Sequence, residues 1–334
     1  MSTFFERFND VQSNLSDLAA SEDDAEAQLD AADDFFNSVD SLLLLTTDDD
    51  ALPNDVEVTA LLAPPSTFLS LLLSTVSSLT SIPAREHVAA AIQNLSSDSR
   101  FSPFMVASVP SPSADSSFVD GLLSALPSHS GSTLIHLAST IRELSEKHDI
   151  FSEVFCSSVA QLLEVGGSVT THLSGACSAL AAFDKNRLPL FSDAPLVAAL
   201  SKIVASTSAG GAAIEAREFA CMFFASAASH GAVAKALATA RKGGERDGLL
   251  QALKLYDSKE AEASRYAHIT LDFVHCKVDA LISGDDDDDE EEEEREEGKE
   301  EEEEDSEEVK EVKEEEEQKG DEEVGEIAES MGKL

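Results

Sequence analysis

Five apolar segments of helical period recur along the chain, and this recurrence restricts the fold more than any composition does. They read His87-Val-Ala-Ala-Ala-Ile-Gln-Asn-Leu95, Leu134-Ile-His-Leu-Ala-Ser-Thr-Ile-Arg-Glu-Leu144, Leu173-Ser-Gly-Ala-Cys-Ser-Ala-Leu180, Phe219-Ala-Cys-Met-Phe-Phe224 and Tyr266-Ala-His-Ile-Thr-Leu271. From Leu95 to Leu271 the four steps are 49, 36, 44 and 47 residues, a mean of 44. A unit of that length holds two or three helices and cannot bury its apolar face alone. It has to stack on its neighbours.

The flanks repeat as well. Each of the first four segments leaves through a polar exit that ends on an apolar residue: Phe104, Phe151, Phe191 and Val233. A leucine-rich helix then opens the next unit, at 118–126, 155–163, 196–204 and 249–255. The Ser/Pro-rich stretch from Pro103 to Pro112, Ser206 to Gly211 and Lys242-Gly-Gly244 read as connecting loops. In this alternation the chain resembles the armadillo-like superfamily of helical repeats over residues 64–283, with degenerate units. The resemblance implies an all-α right-handed solenoid whose concave groove binds extended peptides or partner domains, and hence a protein-binding scaffold. Importin-α-type repeats grip basic peptides with arrays of Trp and Asn. Here Trp is absent and Asn94 and Asn186 form no array, so nuclear-import adaptor activity is not expected. Armadillo-like proteins also include nucleotide-exchange factors for Hsp70 chaperones, which makes chaperone regulation an alternative by analogy alone.

Residues 1–50 read as an acidic helical hairpin, joined by a linker at 51–63. Thr3 and Glu6 have capping-box spacing. Phe4, Phe8, Val11, Leu15 and Leu18 form one stripe over 3–20. Leu29, Ala32, Phe36, Val39 and Leu43 form a second over 24–45. Such a hairpin has three uses: packing on the repeats, pairing with a second copy, or docking a partner.

The net charge is −43, and it is segregated. Residues 285–334 carry 30 acidic and 6 basic groups, residues 1–60 carry 16 acidic groups and Arg7, and the middle is nearly balanced. Direct nucleic-acid binding needs a basic footprint and is not expected. Basic proteins are the complementary partners. A segment as charged as 284–334 cannot offset the entropy of ordering, so it is expected to be a disordered acidic tail. That tail supplies a second reading of function, a chaperone for histones or ribosomal proteins. At its end Val324, Ile327, Met331 and Leu334 return at helical spacing, as a candidate docking motif.

Catalytic patterns are missing. The eight histidines show no H-E-x-x-H or zinc-finger spacing, and no serine sits in a G-x-S-x-G elbow. The chain is therefore read as a non-enzyme with no cofactor and no metal. Cys156, Cys177, Cys221 and Cys276 lie in apolar helical patterns and read as buried free thiols of a reducing compartment. The opening residues lack a basic start and a long apolar run, and no stretch reaches about 18 apolar residues. Cytoplasm or nucleus is the expected location, with no membrane partner. Thr47 and Ser306 precede acidic runs, and Ser102 and Ser111 precede proline, so these four are candidate phosphorylation sites.

Overall fold

The structure, a computed structural model, describes residues 4–21, 24–44, 68–106, 117–208 and 210–239, with positions 249, 253, 267 and 269–272 beyond them. By its internal contacts the chain divides into units 1–277 and 278–334. The second lies outside the described residues. So do Thr3, Thr47, Ser111, Ser306, Cys276 and the motif Val324, Ile327, Met331 and Leu334.

Helix α1 (Phe4–Ala20) buries Phe4, Phe8, Val11, Leu15 and Leu18, the stripe read from the sequence. Helix α2 (Ala25–Leu43) is rotated from its predicted register. It buries Gln28, Ala32, Phe35, Val39 and Leu42, while Leu29, Phe36 and Leu43 are half-buried. The rotation has a polar cause. Gln28 turns inward, and its Oε1 accepts from Thr80 N (3.1 Å), Thr80 Oγ1 (3.1 Å) and Ser81 N (2.9 Å). An amide side chain thus satisfies donors at the start of helix α4 (Ile82–Ser97), donors that the apolar period could not reveal. Gln28→Ala is expected to destabilise the fold by about 1–3 kcal/mol, because the buried Ser81 N–H loses its acceptor. Urea unfolding measures it.

The remaining helices are α3 (Phe68–Ser78), α5 (Ser102–Val106), α6 (Phe118–Ala125), α7 (Gly131–Lys147), α8 (Glu153–Leu162), α9 (Gly167–Leu180), α10 (Asp184–Ser192), α11 (Ala194–Ala205), α12 (Gly211–Ala228) and α13 (Gly231–Thr239). A 3₁₀ turn, Leu126–Ser128, follows α6. Two rows organise them. One row stacks α1, α3, α6, α8 and α11. The other stacks α2, α4, α7, α9 and α12, each packed along the next. This second row is called the ladder below. It contains the predicted segments at 87–95, 134–144, 173–180 and 219–224. The first row contains the predicted openers at 118–126, 155–163 and 196–204, within a residue or two at their ends. The N-terminal pair α1–α2 takes its place in both rows, so it packs on the repeats.

Two stretches read as polar exits prove helical. Ser102–Val106 and Asp184–Ser192 are short helices that bridge one layer to the next. Pro103 lies in the first turn of α5, where a missing N–H costs nothing. Pro189 lies inside α10, and α11 then leaves at 90° to it. Among the described residues no single helix is long and apolar enough to cross a membrane. Only α10 and α11 taken together reach that length and apolarity.

Serine or aspartate starts helices α4, α6, α8 and α11. Ser81, Ser117, Ser152 and Asp193 accept from Ala84 N, Asp120 N, Phe155 N and Leu196 N. Each such cap contributes about 1 kcal/mol. Asp120 also joins two of them, accepting from Ser117 Oγ at 3.0 Å and from Ser152 Oγ at 2.8 Å. One carboxylate therefore ties the starts of α6 and α8 together. Small residues dominate where ladder helices touch on both sides. Buried residues of α9 include Thr170, Thr171, Ser174, Gly175, Ala176, Cys177 and Ser178, which explains a chain rich in alanine and serine.

Candidate functional site

Among the described residues the five ladder helices keep half-exposed and exposed polar side chains, together called the ladder face below. Three histidines stand on it in register, each the sixth residue of its helix: His87 on α4, His136 on α7 and His172 on α9. Acidic groups flank the row. Asp33 on α2 pairs with His87. Glu86 on α4 acts on His136, and Glu143 on α7 and Glu215 on α12 act on His172. The Phe36 ring lies 5.9 Å from the His87 ring. His136 Nδ1 shares a hydrogen with Gln93 Oε1 at 2.7 Å, and Gln93 Nε2 donates to Ser139 Oγ at 2.9 Å.

Burial pushes His136 and His172 below the ordinary histidine value. For His136 the charge of Glu86 acts in the opposite sense. For His172 the Arg142 guanidinium lowers it further, against Glu215 and Glu143. Both rings are therefore neutral at physiological pH, and the charge on this face comes from carboxylates and from Arg142.

At the α7–α9–α12 end of the row lies a compound contact. The Arg142 guanidinium sits over the Phe219 ring, 4.6 Å from its centre. Its Nε donates to Glu146 Oε1 at 2.8 Å, and its Nη1 lies 3.7 Å from Glu215 Oε1. Gly175 makes room for the stem: a Cβ at that position would lie 3.1 Å from both Arg142 Cδ and Nε. Nearby Lys147 is spent on helix-end carbonyls, donating to Ser96 O (3.2 Å) and Ser97 O (2.7 Å). The same ammonium stands 3.9 Å from Glu143 Oε2. On the five ladder helices ten Asp and Glu stand against four Lys and Arg.

The sequence-derived candidates fare differently. Ser102 does not lie in an exposed linker. It is 2% exposed at the start of α5, and its hydroxyl bonds His148 Nε2 at 3.1 Å. A kinase would have to open α5 to reach it. Asn186 is off the ladder, buried on α10 with its amide on Asp149 Oδ1 at 2.7 Å. Cys156, Cys177 and Cys221 are buried free thiols. Burial pushes Cys156 and Cys221 up to about 12, so neither is a nucleophile at neutral pH. Among the described residues no group of three His, Cys, Asp or Glu could hold a metal ion. The three-histidine row went unrecognised in the sequence because its members lie 49 and 36 residues apart. Only the repeat register brings them together.

No protein-family model matches the chain, and no curated protein does. Solved structures do. An engineered protein is 18% identical with a TM-score of 0.53, over 80% of this chain and 97% of its own. A designed armadillo repeat protein, solved in complex with the peptide (KR)4, is 15% identical with a TM-score of 0.52, over 78% of this chain and 98% of its own. The fold is armadillo-like. The degenerate period of the sequence and the two-row stack thus describe one architecture. The armadillo-like ladder extends to the N-terminal pair α1–α2, one layer more than the resemblance read over 64–283 covers. Stacked repeats of this kind build extended binding surfaces.

Proposed function

We propose that the ladder face docks an extended peptide segment of basic character, and that the protein works as a binding scaffold without turnover. The observation that carries this reading is the set of carboxylates on four of the five ladder helices, Asp33 on α2, Glu86 on α4, Glu143 and Glu146 on α7 and Glu215 on α12, with none on α9. The peptide (KR)4 bound to the designed armadillo repeat protein of like fold supports it. An extended peptide meets each layer in turn, so carboxylates of different layers face different residues of the ligand. Electrostatic complementarity of this sort sets encounter rate and specificity, and it weakens with salt.

The test is fluorescence anisotropy with a labelled (KR)4 peptide and the full chain. Glu86→Lys with Glu215→Lys is expected to weaken binding at least about tenfold, equivalent to about 1.4 kcal/mol. A variant that binds as the parent does would refute the ladder reading. The acidic tail, with a net charge of −24 over 285–334, favours the second reading, a chaperone for basic proteins. Under that reading deletion of 285–334 abolishes binding and the two glutamate substitutions leave it unchanged.

A further inference from the structure

The contact between Arg142, Phe219, Glu146 and Glu215 has the composition of a binding site for a guanidinium group. An aromatic face lies on one side at 4.6 Å. One carboxylate accepts from Nε at 2.8 Å, and a second stands 3.7 Å from Nη1. A planar, weakly hydrated cation suits such a cage better than an ammonium does, because it stacks and hydrogen-bonds at once. The cage draws on α7 and α12, with Gly175 of α9 beneath the stem of the side chain that fills it. It lies on the ladder face beside His172 and is partly open to solvent: Arg142 is 25% exposed, Glu146 44% and Glu215 50%.

The geometry points to an arginine-selective subsite that the chain itself keeps closed: Arg142 occupies in cis the place that a guanidinium of the docked peptide takes when it displaces Arg142. This rests on the ladder reading and adds to it a position and a residue preference. The exchange is between like groups, so charge is conserved in the cage. The chain gives up its own stacked cation and gains the partner's. The tethered Arg142 competes with every incoming arginine, which lowers affinity, and a lysine-bearing peptide gains nothing by entering.

The test uses full-length protein at constant salt with two probes of equal charge, an arginine octapeptide and a lysine octapeptide. Whatever the acidic ends bind by charge alone is common to both. Arg142→Ala is expected to tighten the arginine octapeptide about five- to tenfold, the range a freed stacking and ion-pair site supplies. The lysine octapeptide is expected to change less than about twofold, since an ammonium neither stacks nor bridges the two carboxylates as a guanidinium does. Adding Glu146→Gln and Glu215→Gln to Arg142→Ala is expected to reverse the gain. If Arg142→Ala keeps the parent melting curve and binds arginine no tighter, or tightens both peptides alike, the closed-subsite inference is overturned while the ladder reading stands. If Arg142→Ala does not fold, Arg142→Lys replaces it, with a smaller gain in the same direction expected and no gain overturning the inference. If neither octapeptide responds to Glu86→Lys with Glu215→Lys, the ladder reading fails and takes the subsite with it.

Discussion

Phe8→Ala is expected to cost about 3–5 kcal/mol, the usual penalty for emptying a buried aromatic site. Phe8 is 1% exposed. Its ring stacks on Phe4 at 6.2 Å and meets Phe68 of α3 at 5.4 Å, and Phe4 in turn stacks on Phe101 at 6.2 Å. This cluster fastens α1 to α3, while α2 holds the same layer along α4. In a stacked array each layer is held by its neighbours, and an end layer has one neighbour. The loss should therefore appear unevenly. Hydrogen exchange in Phe8→Ala is expected to speed up across α1 and α2 while α7 and α9 stay protected. Phe5, 41% exposed on the same helix, is the control. Phe5→Ala should stay within about 0.5 kcal/mol of the parent. Equal effects of the two substitutions would mean that the aromatic cluster does not anchor the layer.

The second large effect is with pH. Burial lowers the pKa of His129, His136, His148 and His172, with the neighbouring cations Arg85, Lys147 and Arg142 adding to it for His129, His148 and His172 respectively. Both ring nitrogens of His129 are buried without a hydrogen-bond partner among the described residues. Near and below pH 6.5, the ordinary histidine value, the unfolded chain takes up protons that the folded chain does not. Stability is then highest above that value and falls as the pH drops through the depressed folded values. The melting temperature at constant salt is expected to decline steadily from pH 7 to pH 5. His129→Asn with His172→Asn should flatten the decline. A melting temperature that rises over that interval would contradict the assignment.

Much of this architecture is legible in the sequence, and the reasons are physical. The ladder segments carry apolar residues on most of their circumference because helices flank them on two sides, so their period is unmistakable. The stripe of α1 is equally plain because α1 offers one face to one neighbourhood. The register of α2 was hidden because the stripe 29-32-36-39-43 is wholly apolar, whereas the buried stripe 28-32-35-39-42 begins with Gln28, whose hydrogen bonds favour it. The bridging helices α5 and α10 were hidden by their prolines and their brevity, since five and nine residues carry little periodic signal. The candidate site is illegible for another reason. Its members come from five helices, and nothing local marks Asp33 as a partner of His87, or Arg142 as one of Phe219.

A column of layers resembles a growing polymer: whatever lets one unit settle on the last would let a stray unit settle on the exposed end. The first layer has a way of stopping that growth. Its solvent-facing positions include Glu6, Asp10, Asp17, Asp30, Asp34 and Asp40. Two such ends meeting in solution repel, and an apolar helix approaching them would strip water from carboxylates without offering a partner. The acidity that makes residues 1–60 so unlike the balanced middle of the chain therefore keeps the outward surface of the α1–α2 layer in water and disfavours a further apolar layer settling on it.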